Sequence, residues 1–457
     1  MLLIISCVSF LLITKSENKP TLNTSETKNP SENLMNGSWY EVKNNIPILH
    51  LNGSYYQMGY QQGFLIKERI LQYYRALLAY FESNKFSYGR LLNIWNSTFH
   101  NIPKCYIDEM HGIADGANIS FEYVAVENIM CLVLYYLWSA PAGCTAIAAW
   151  GPATRDGRLY HMRSNDFDRI MRDPETGAGI WDTAVLFVRT PTDAYASVSP
   201  EFPGLACTWN GINEHKISIG EAYCRTKDIT FDGIGEAFRI RMALDTADSA
   251  EDAINILDSN RAEGCNIIVS DGNIPTAYIL EQTANHSYIG SWDSKTESNR
   301  PCWKINHVIR RGNFFENLEL IKTQPYKFTP RLWTFRFLLK NIFGFKNVND
   351  TWNLAWKWLV YKALSKGIMK NWGELDLTTT MQLTRNTYDY NYDIFWKYYG
   401  KKTDWYSSES GLIPCWQWVA CPENGDFLLS MAHKETSAHK MPTVLFNIYD
   451  LIDAMPP

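Results

Sequence analysis

Gly143-Cys144-Thr145-Ala146-Ile147-Ala148-Ala149-Trp150, a turn at Arg155-Asp156-Gly157-Arg158, then Leu159-Tyr160-His161-Met162-Arg163-Ser164-Asn165-Asp166 is the stretch on which the fold turns. Short apolar runs separated by Asp-Gly read as two strands of one hairpin. Closing that hairpin returns Arg163 and Asp166 to the neighbourhood of Cys144. A cysteine attacks a carbonyl only as thiolate and so needs a base. The barest base is the residue's own α-amino group, freed if the bond between Gly143 and Cys144 is cut. Such an amine titrates at about 8, close to working pH. The preceding Gly143 is expected to tolerate a strained backbone at the scissile bond.

Outward from this hairpin the texture differs on the two sides. Upstream, Ile46 to Leu51 reads as a strand and Tyr55 to about Phe81 carries apolar residues at helical spacing. Helical material continues to about Leu137, and Met130 to Ala140 reads as a buried element too short to span a membrane. Downstream, strands are expected at Ala184 to Arg189, Tyr195 to Ser199, Ala206 to Asn210 and Lys216 to Glu221. Gly235 to Leu257 reads as two amphipathic helices, the second starting near Ser249. Strands Cys265 to Ser270 and Thr276 to Glu281 follow, joined by the turn Asp271-Gly272-Asn273. Trp352 to Trp372 reads as a helical insertion, and strands Trp416 to Ala420 and Asp426 to Met431 close the pattern.

With 457 residues, 46% of them apolar, the chain can bury a large core. Its formal charge of -5 supplies no basic field for nucleic acid or anionic membrane, so a small molecule is the expected partner. Met1 to about Thr14 is a short apolar run read as a signal peptide (residues 1–16), followed by a polar leader (17–40). Sequons at Asn23, Asn36, Asn52, Asn96, Asn118, Asn285 and Asn349 agree with a secreted or lysosomal, lumenal location. Setting aside Cys7 and Cys144, eight cysteines remain for disulfides: Cys105, Cys131, Cys207, Cys224, Cys265, Cys302, Cys415 and Cys421. Glu221 and Glu281 read as structural acids paired with basic neighbours. The sequence holds no G-x-S-x-G elbow, H-E-x-x-H, P-loop or C-x-x-C pair, and its histidines show no ligand spacing. No metal or cofactor is expected.

In order and spacing, several pieces together resemble the amino-terminal-nucleophile (Ntn) hydrolases, and among them the penicillin acyltransferase-like cysteine family. They are Gly53-Ser54-Tyr55-Tyr56-Gln57-Met58-Gly59 with Gln62-Gly63, Gly143-Cys144-Thr145, Asp156-Gly157 and Arg163-Ser164-Asn165-Asp166. Asn210-Gly211-Ile212-Asn213-Glu214-His215, the alanine-rich helix Ala247 to Leu257, Asn266 with Asp271, and Thr384-Arg385-Asn386 complete the set. Lys216 stands where that family often has glycine. The resemblance implies an α+β fold, a four-layer αββα sandwich with an N-terminal helical propeptide or α-chain (41–143) and a β-chain (144–457). It implies a self-processing hydrolase or acyltransferase that acts on a linear amide through a thioester, after autocleavage at Gly143-Cys144. In it Cys144 is nucleophile, Asp166 holds the new amine, Arg163 orients the site and Asn266 donates to the oxyanion. Arg385 and Tyr223 are the expected substrate contacts. A secreted cysteine dipeptidase, a ceramidase-like amidase for N-acyl lipids and, outside enzymes, an inactive glycosylated binding protein are the alternatives.

Overall fold

The computed structural model of the chain describes residues 32–134, 142–327, 329, 352–387 and 412–456. The expected signal peptide, most of the leader, Asn23 and Asn349 lie outside these residues.

After one helical turn, α1 (Glu32–Met35), come β1 (Trp39–Lys43) and β2 (Ile46–Gly53), then α2 (Tyr55–Ser83), α3 (Tyr88–Thr98), α4 (Lys104–Ala117) and α5 (Phe121–Val133). The Gly53 to Gly63 motif explains itself here. Ser54 caps α2 in a capping box with Gln57. Gln61 bonds both the N–H and the C=O of Asn52, tying the helix to β2. A Cβ on Gly59 would lie 1.9 Å from the Glu109 carbonyl oxygen, and one on Gly112 would lie 2.1 Å from that of Tyr56. Gly63 and Gly116 interlock in the same way, so α2 and α4 touch backbone to backbone.

The hairpin is β3 (Ala142–Gly151) and β4 (Gly157–Asp168), with Cys144 opposite Asn165 and Gly143 opposite Asp166. There follow β5 (Val185–Pro191), β6 (Ser197–Glu201), β7 (Asn210–Asn213), β8 (Ile217–Tyr223), α6 (Glu236–Thr246), α7 (Ala250–Leu257), β9 (Cys265–Asp271), β10 (Thr276–Gln282), β11 (Ser287–Gly290) and β12 (Val308–Arg311). The last elements are α8 (Leu318–Thr323), the Trp352–Lys370 helix, a helix at 377–387, β13 (Leu412–Cys421), β14 (Asp426–Met431) and β15 (Val444–Asn447).

Nine strands form one sheet in the order β1-β2-β5-β6-β7-β8-β9-β10-β11, and six form the other as β12-β3-β4-β13-β14-β15. All pairs are antiparallel except β2 with β5. Ala146, Ala148 and Trp150 of β3 and Leu159 of β4 meet Ile268 and Ile279 between the sheets. Ile147 and Met162, on the opposite face, meet Leu364 and Ile368 of the Trp352–Lys370 helix. Ile217, Ile219 and Ile267 pack on α6 and α7 across the outer face of the larger sheet. Helix, sheet, sheet, helix is the αββα order expected.

Three expectations change. Ala206 to Trp209 is not a strand, because its N–H groups go elsewhere: Ala206 to Asn128 Oδ1, Thr208 to the Ala237 carbonyl, Trp209 to Glu201. Lys216 takes the glycine-like φ of +66° at the β7–β8 turn. All nine described cysteines are free thiols, so none of the expected disulfides is present among the described residues. Asn36, Asn52, Asn96, Asn118 and Asn285 are all exposed. No described helix is long and apolar enough to cross a membrane.

Candidate active site

Cys144 sits at the head of β3, 6% exposed, with a separate partner for each of its reactive atoms. Its N–H donates to Asn313 Oδ1 at 2.8 Å. Its Sγ lies 3.3 Å from Arg163 Nη2 and 3.9 Å from both Glu221 Oε1 and Asn165 Oδ1. The β3–β4 register delivers Arg163 and Asn165. Asn313 arrives because β12 pairs antiparallel with β3, Arg311 facing Ala146, and the chain runs on two residues toward the level of Cys144.

Arg163 is wholly buried, which its ligands make tolerable. Nε donates to the Glu221 carbonyl at 2.7 Å, Nη2 to Glu221 Oε1 at 2.5 Å and Nη1 to Asn210 Oδ1 at 3.4 Å. The close approach of β8 requires Gly220, where a Cβ would fall 2.9 Å from His161 Nε2 and 3.4 Å from Arg163 Cδ. Asp166 accepts from Ser164 Oγ at 2.9 Å, and Ser164 in turn accepts from Gln417 of β13. Across the scissile position, a Cβ on Gly143 would be 3.0 Å from Leu412 Cδ1 and 3.3 Å from Asp166 Oδ2. Gly143 lies in the strand without positive φ, so close approach, and not backbone strain, is the reason for glycine there.

Burial pushes the Cys144 thiol up to about 12, with Arg163 pulling it back only in part. Burial likewise raises Glu221 to about 7 in spite of Arg163. In the uncut chain the Cys144 nitrogen is an amide N–H and not a base. Glu221, with Oε1 3.9 Å from Sγ, then presents a carboxylate to the thiol, although its sequence context read as structural. Asn313 was not singled out by any motif either. Gly312-Asn313 immediately after a strand is a weak signal, visible only once the strand is known to lie beside β3.

Asn266 donates both amide hydrogens to backbone, to the Gly312 and Phe314 carbonyls at 3.0 and 2.9 Å. It therefore braces the loop that carries Asn313, and the donor expected for the oxyanion is already committed. The Tyr223 carbonyl accepts from Asn313 Nδ2 at 2.8 Å, which puts Tyr223 at the site. Arg385 binds the His439 and Met441 carbonyls at 2.7 and 2.5 Å, an arrangement that fastens the 377–387 helix to the segment after β14. No group of metal-binding side chains occurs among the described residues.

Residues 182–348 match the family model for acyl-coenzyme A:6-aminopenicillanic acid acyl-transferase. That stretch contains Glu221, Asn266 and Asn313 and lies wholly after Cys144, Arg163 and Asp166. An uncharacterized protein of Archaeoglobus fulgidus is 23% identical over 397 residues, 78% of this chain and 64% of that relative. The chain thus spans under two thirds of the archaeal protein's length. Protein dcd1A of Dictyostelium discoideum is 24% identical over 333 residues, 64% of this chain and 73% of its own. Among solved structures, a Caenorhabditis elegans ortholog of N-acylethanolamine-hydrolyzing acid amidase has a TM-score of 0.34 at 12% identity, over 66% of this chain and 100% of that one. A mutant conjugated bile acid hydrolase of Clostridium perfringens has a TM-score of 0.36 at 11% identity, over 68% and 94%.

The buried acids give a stability prediction. Glu201, Glu221 and Glu316 are all raised to about 7, burial being the leading cause in each. A folded-state pKa above the unfolded one means that the folded chain keeps protons the unfolded chain releases. The stabilisation is complete below the ordinary glutamate range and is lost as pH rises through about 7, by up to about 1.4 kcal/mol per pH unit for each group. His161, held down near 3 by burial, and His50, also lowered by burial, work in the opposite sense, but burial raises Glu109, Glu127 and Glu281 as well. Thermal unfolding should therefore occur at higher temperature at pH 5 than at pH 8. A higher midpoint at pH 8 would contradict the assignment.

Proposed function

We propose that this chain is a self-processing cysteine hydrolase or acyltransferase that cleaves a linear amide through a thioester on Cys144. The observation that carries the reading is the separate provision for the nitrogen and sulfur of Cys144, Asn313 holding one and the Arg163–Glu221 pair flanking the other. In self-cleavage Glu221 takes the thiol proton and Sγ attacks the Gly143 carbonyl carbon. The C–N bond breaks, and the departing Cys144 amine receives the proton from Glu221. Water then opens the thioester, leaving a carboxylate on Gly143 and a free amine on Cys144. With substrate, that amine takes the thiol proton and returns it to the leaving amine, while Asp166 holds the ammonium form. The Asn313 amide has a second hydrogen beyond the one given to Tyr223, and it donates to the tetrahedral oxyanion. Either water or an amine receives the acyl group.

The test is amino-terminal sequencing of the purified protein together with mass analysis of the Cys144 peptide during turnover of N-acyl amides. A fragment beginning at Cys144 and an acyl adduct on its sulfur support the reading. An intact chain at both acidic and neutral pH, with no adduct, sinks it in favour of a non-catalytic binding protein. A lumenal or secreted location belongs to the same reading and is supported by the five exposed sequons.

Cleavage is expected to leave the two chains associated. The chain before Cys144 supplies β1 and β2 to the larger sheet, with β2 paired to β5. Glu109 of α4 pairs with Arg241 of α6 at 3.3 Å, both fully buried, and Tyr55 and Tyr106 donate to Asp245 at 2.8 and 3.0 Å. Removing either side would strand buried charges. Native size-exclusion chromatography should keep both fragments in one peak, and separation there without denaturant would refute the prediction.

A further inference from the structure

We propose that Lys357 is an anion-binding specificity residue, which takes the carboxylate of an amide substrate whose scissile bond lies against Cys144. The inference rests on the amide-cleaving reading and narrows it to N-acyl amino acids or short peptides, away from neutral N-acyl lipids.

Lys357 belongs to the Trp352–Lys370 helix. The C-terminal half of that helix covers the outer face of the smaller sheet through Leu364 and Ile368. Its earlier half is anchored to the residue after Asn313: the Phe314 ring lies 5.3 Å from that of Tyr361 and 6.1 Å from that of Trp358. This directs Lys357 to the nucleophile's end of β3, with Nζ 5.6 Å from the centroid of the Tyr223 ring. Tyr223, Asn313 and Cys144 are then joined in sequence by two hydrogen bonds of 2.8 Å.

The charges around the thiol leave Lys357 over. Arg163 is matched by Glu221. Asp166 is matched by the ammonium that processing creates. Among the described residues no carboxylate forms an ion pair with Lys357, whose contact there is the Tyr223 ring. A half-buried cation without an anion is costly, and a substrate carboxylate a few bonds from the scissile carbonyl offsets that cost. Burial lowers the Lys357 pKa to about 8, Cys144 and Asp166 being among the groups that oppose the shift, so its charge and theirs share one local field. The plain alternative, a lysine that only packs on Tyr223, requires no sensitivity to substrate charge.

The experiment compares wild type, Lys357→Met and Lys357→Arg in two assays. In the first, Cys144 is alkylated with iodoacetate or iodoacetamide, and the Cys144 peptide is read by mass spectrometry with the partly exposed Cys105 as internal reference. The iodoacetate-to-iodoacetamide rate ratio at Cys144 is expected to fall about tenfold in Lys357→Met and to be kept in Lys357→Arg. In the second, an N-acylglycine is compared with its N-acylglycinamide. KM for the acid should rise about tenfold in Lys357→Met while kcat/KM for the amide stays unchanged. A ratio that is the same in wild type and Lys357→Met, or a Cys144 that iodoacetate does not reach, overturns the proposal. Charge-dependent labelling without hydrolysis of either compound instead supports the anion site and refutes the amide-cleaving reading. Equal hydrolysis of both compounds does the reverse.

Discussion

Replacing Glu221 with glutamine is expected to slow self-cleavage at least about 100-fold, and Cys144→Ala to abolish both cleavage and turnover. Before cleavage no α-amine exists, the thiol is raised to about 12 by burial, and Glu221 presents a carboxylate oxygen, Oε1, 3.9 Å from Sγ. Removal of a positioned general base typically costs 10²–10⁴-fold in rate. Glutamine keeps an oxygen for Arg163 Nη2 but leaves the buried guanidinium without a counter-charge, so some destabilisation accompanies the change. The two effects are separated by following fragment appearance on denaturing gels under conditions where thermal unfolding shows the variant to be folded. Cleavage of folded Glu221→Gln at the wild-type rate would remove Glu221 from the mechanism. A fragment starting at residue 144 in the Cys144→Ala variant would mean that another protease does the cutting.

Gly112→Val is expected to destabilise the fold by about 3 kcal/mol or more, among the larger effects a single substitution can have. The Cβ would meet the Tyr56 carbonyl oxygen at 2.1 Å and the Tyr60 nitrogen at 2.7 Å, both backbone atoms of α2. Neither can rotate away, so the helices must part, and with them the packing of β2 beneath α2. Gly59→Val should behave alike, since it meets the Glu109 carbonyl from the other helix. Gly235→Ala is the control: its Cβ would find only Leu132 Cβ, at 3.9 Å, and should change stability by less than about 1 kcal/mol. A wild-type unfolding midpoint for Gly112→Val would show that α2 and α4 do not pack this way in solution.

Local signals carried much of the architecture. The hairpin from Cys144 to Asp166 was readable because strand periodicity and an Asp-Gly turn are properties of neighbouring residues. So were α2, with its Ser54–Gln57 box, and the pair α6 and α7, with Ser249 capping the second. Bridging strands gave less. β1, β11, β12 and β15 are four or five residues long and owe their existence to a neighbour that supplies hydrogen bonds. Ala206 to Trp209 shows the converse, an apolar run whose donors are claimed by side chains of α5 and β6 and by the Ala237 carbonyl in the first turn of α6.

The same division runs through the site. By itself the sequence determined Cys144, Arg163 and Asp166 as one group, since a hairpin register is set within about twenty residues of chain. The tertiary structure alone decided Glu221, Asn313 and Lys357. Glu221 shares strand parity with Ile217 and Ile219, which face helices, yet its Oε1 meets Arg163 Nη2 and Cys144 Sγ from the other sheet. Asn313 is 169 residues from Cys144, and Lys357 comes from a helix laid over the far face of the smaller sheet. Their meeting at Cys144 depends on sheet order and layer packing, long-range contacts that no local pattern of side chains encodes.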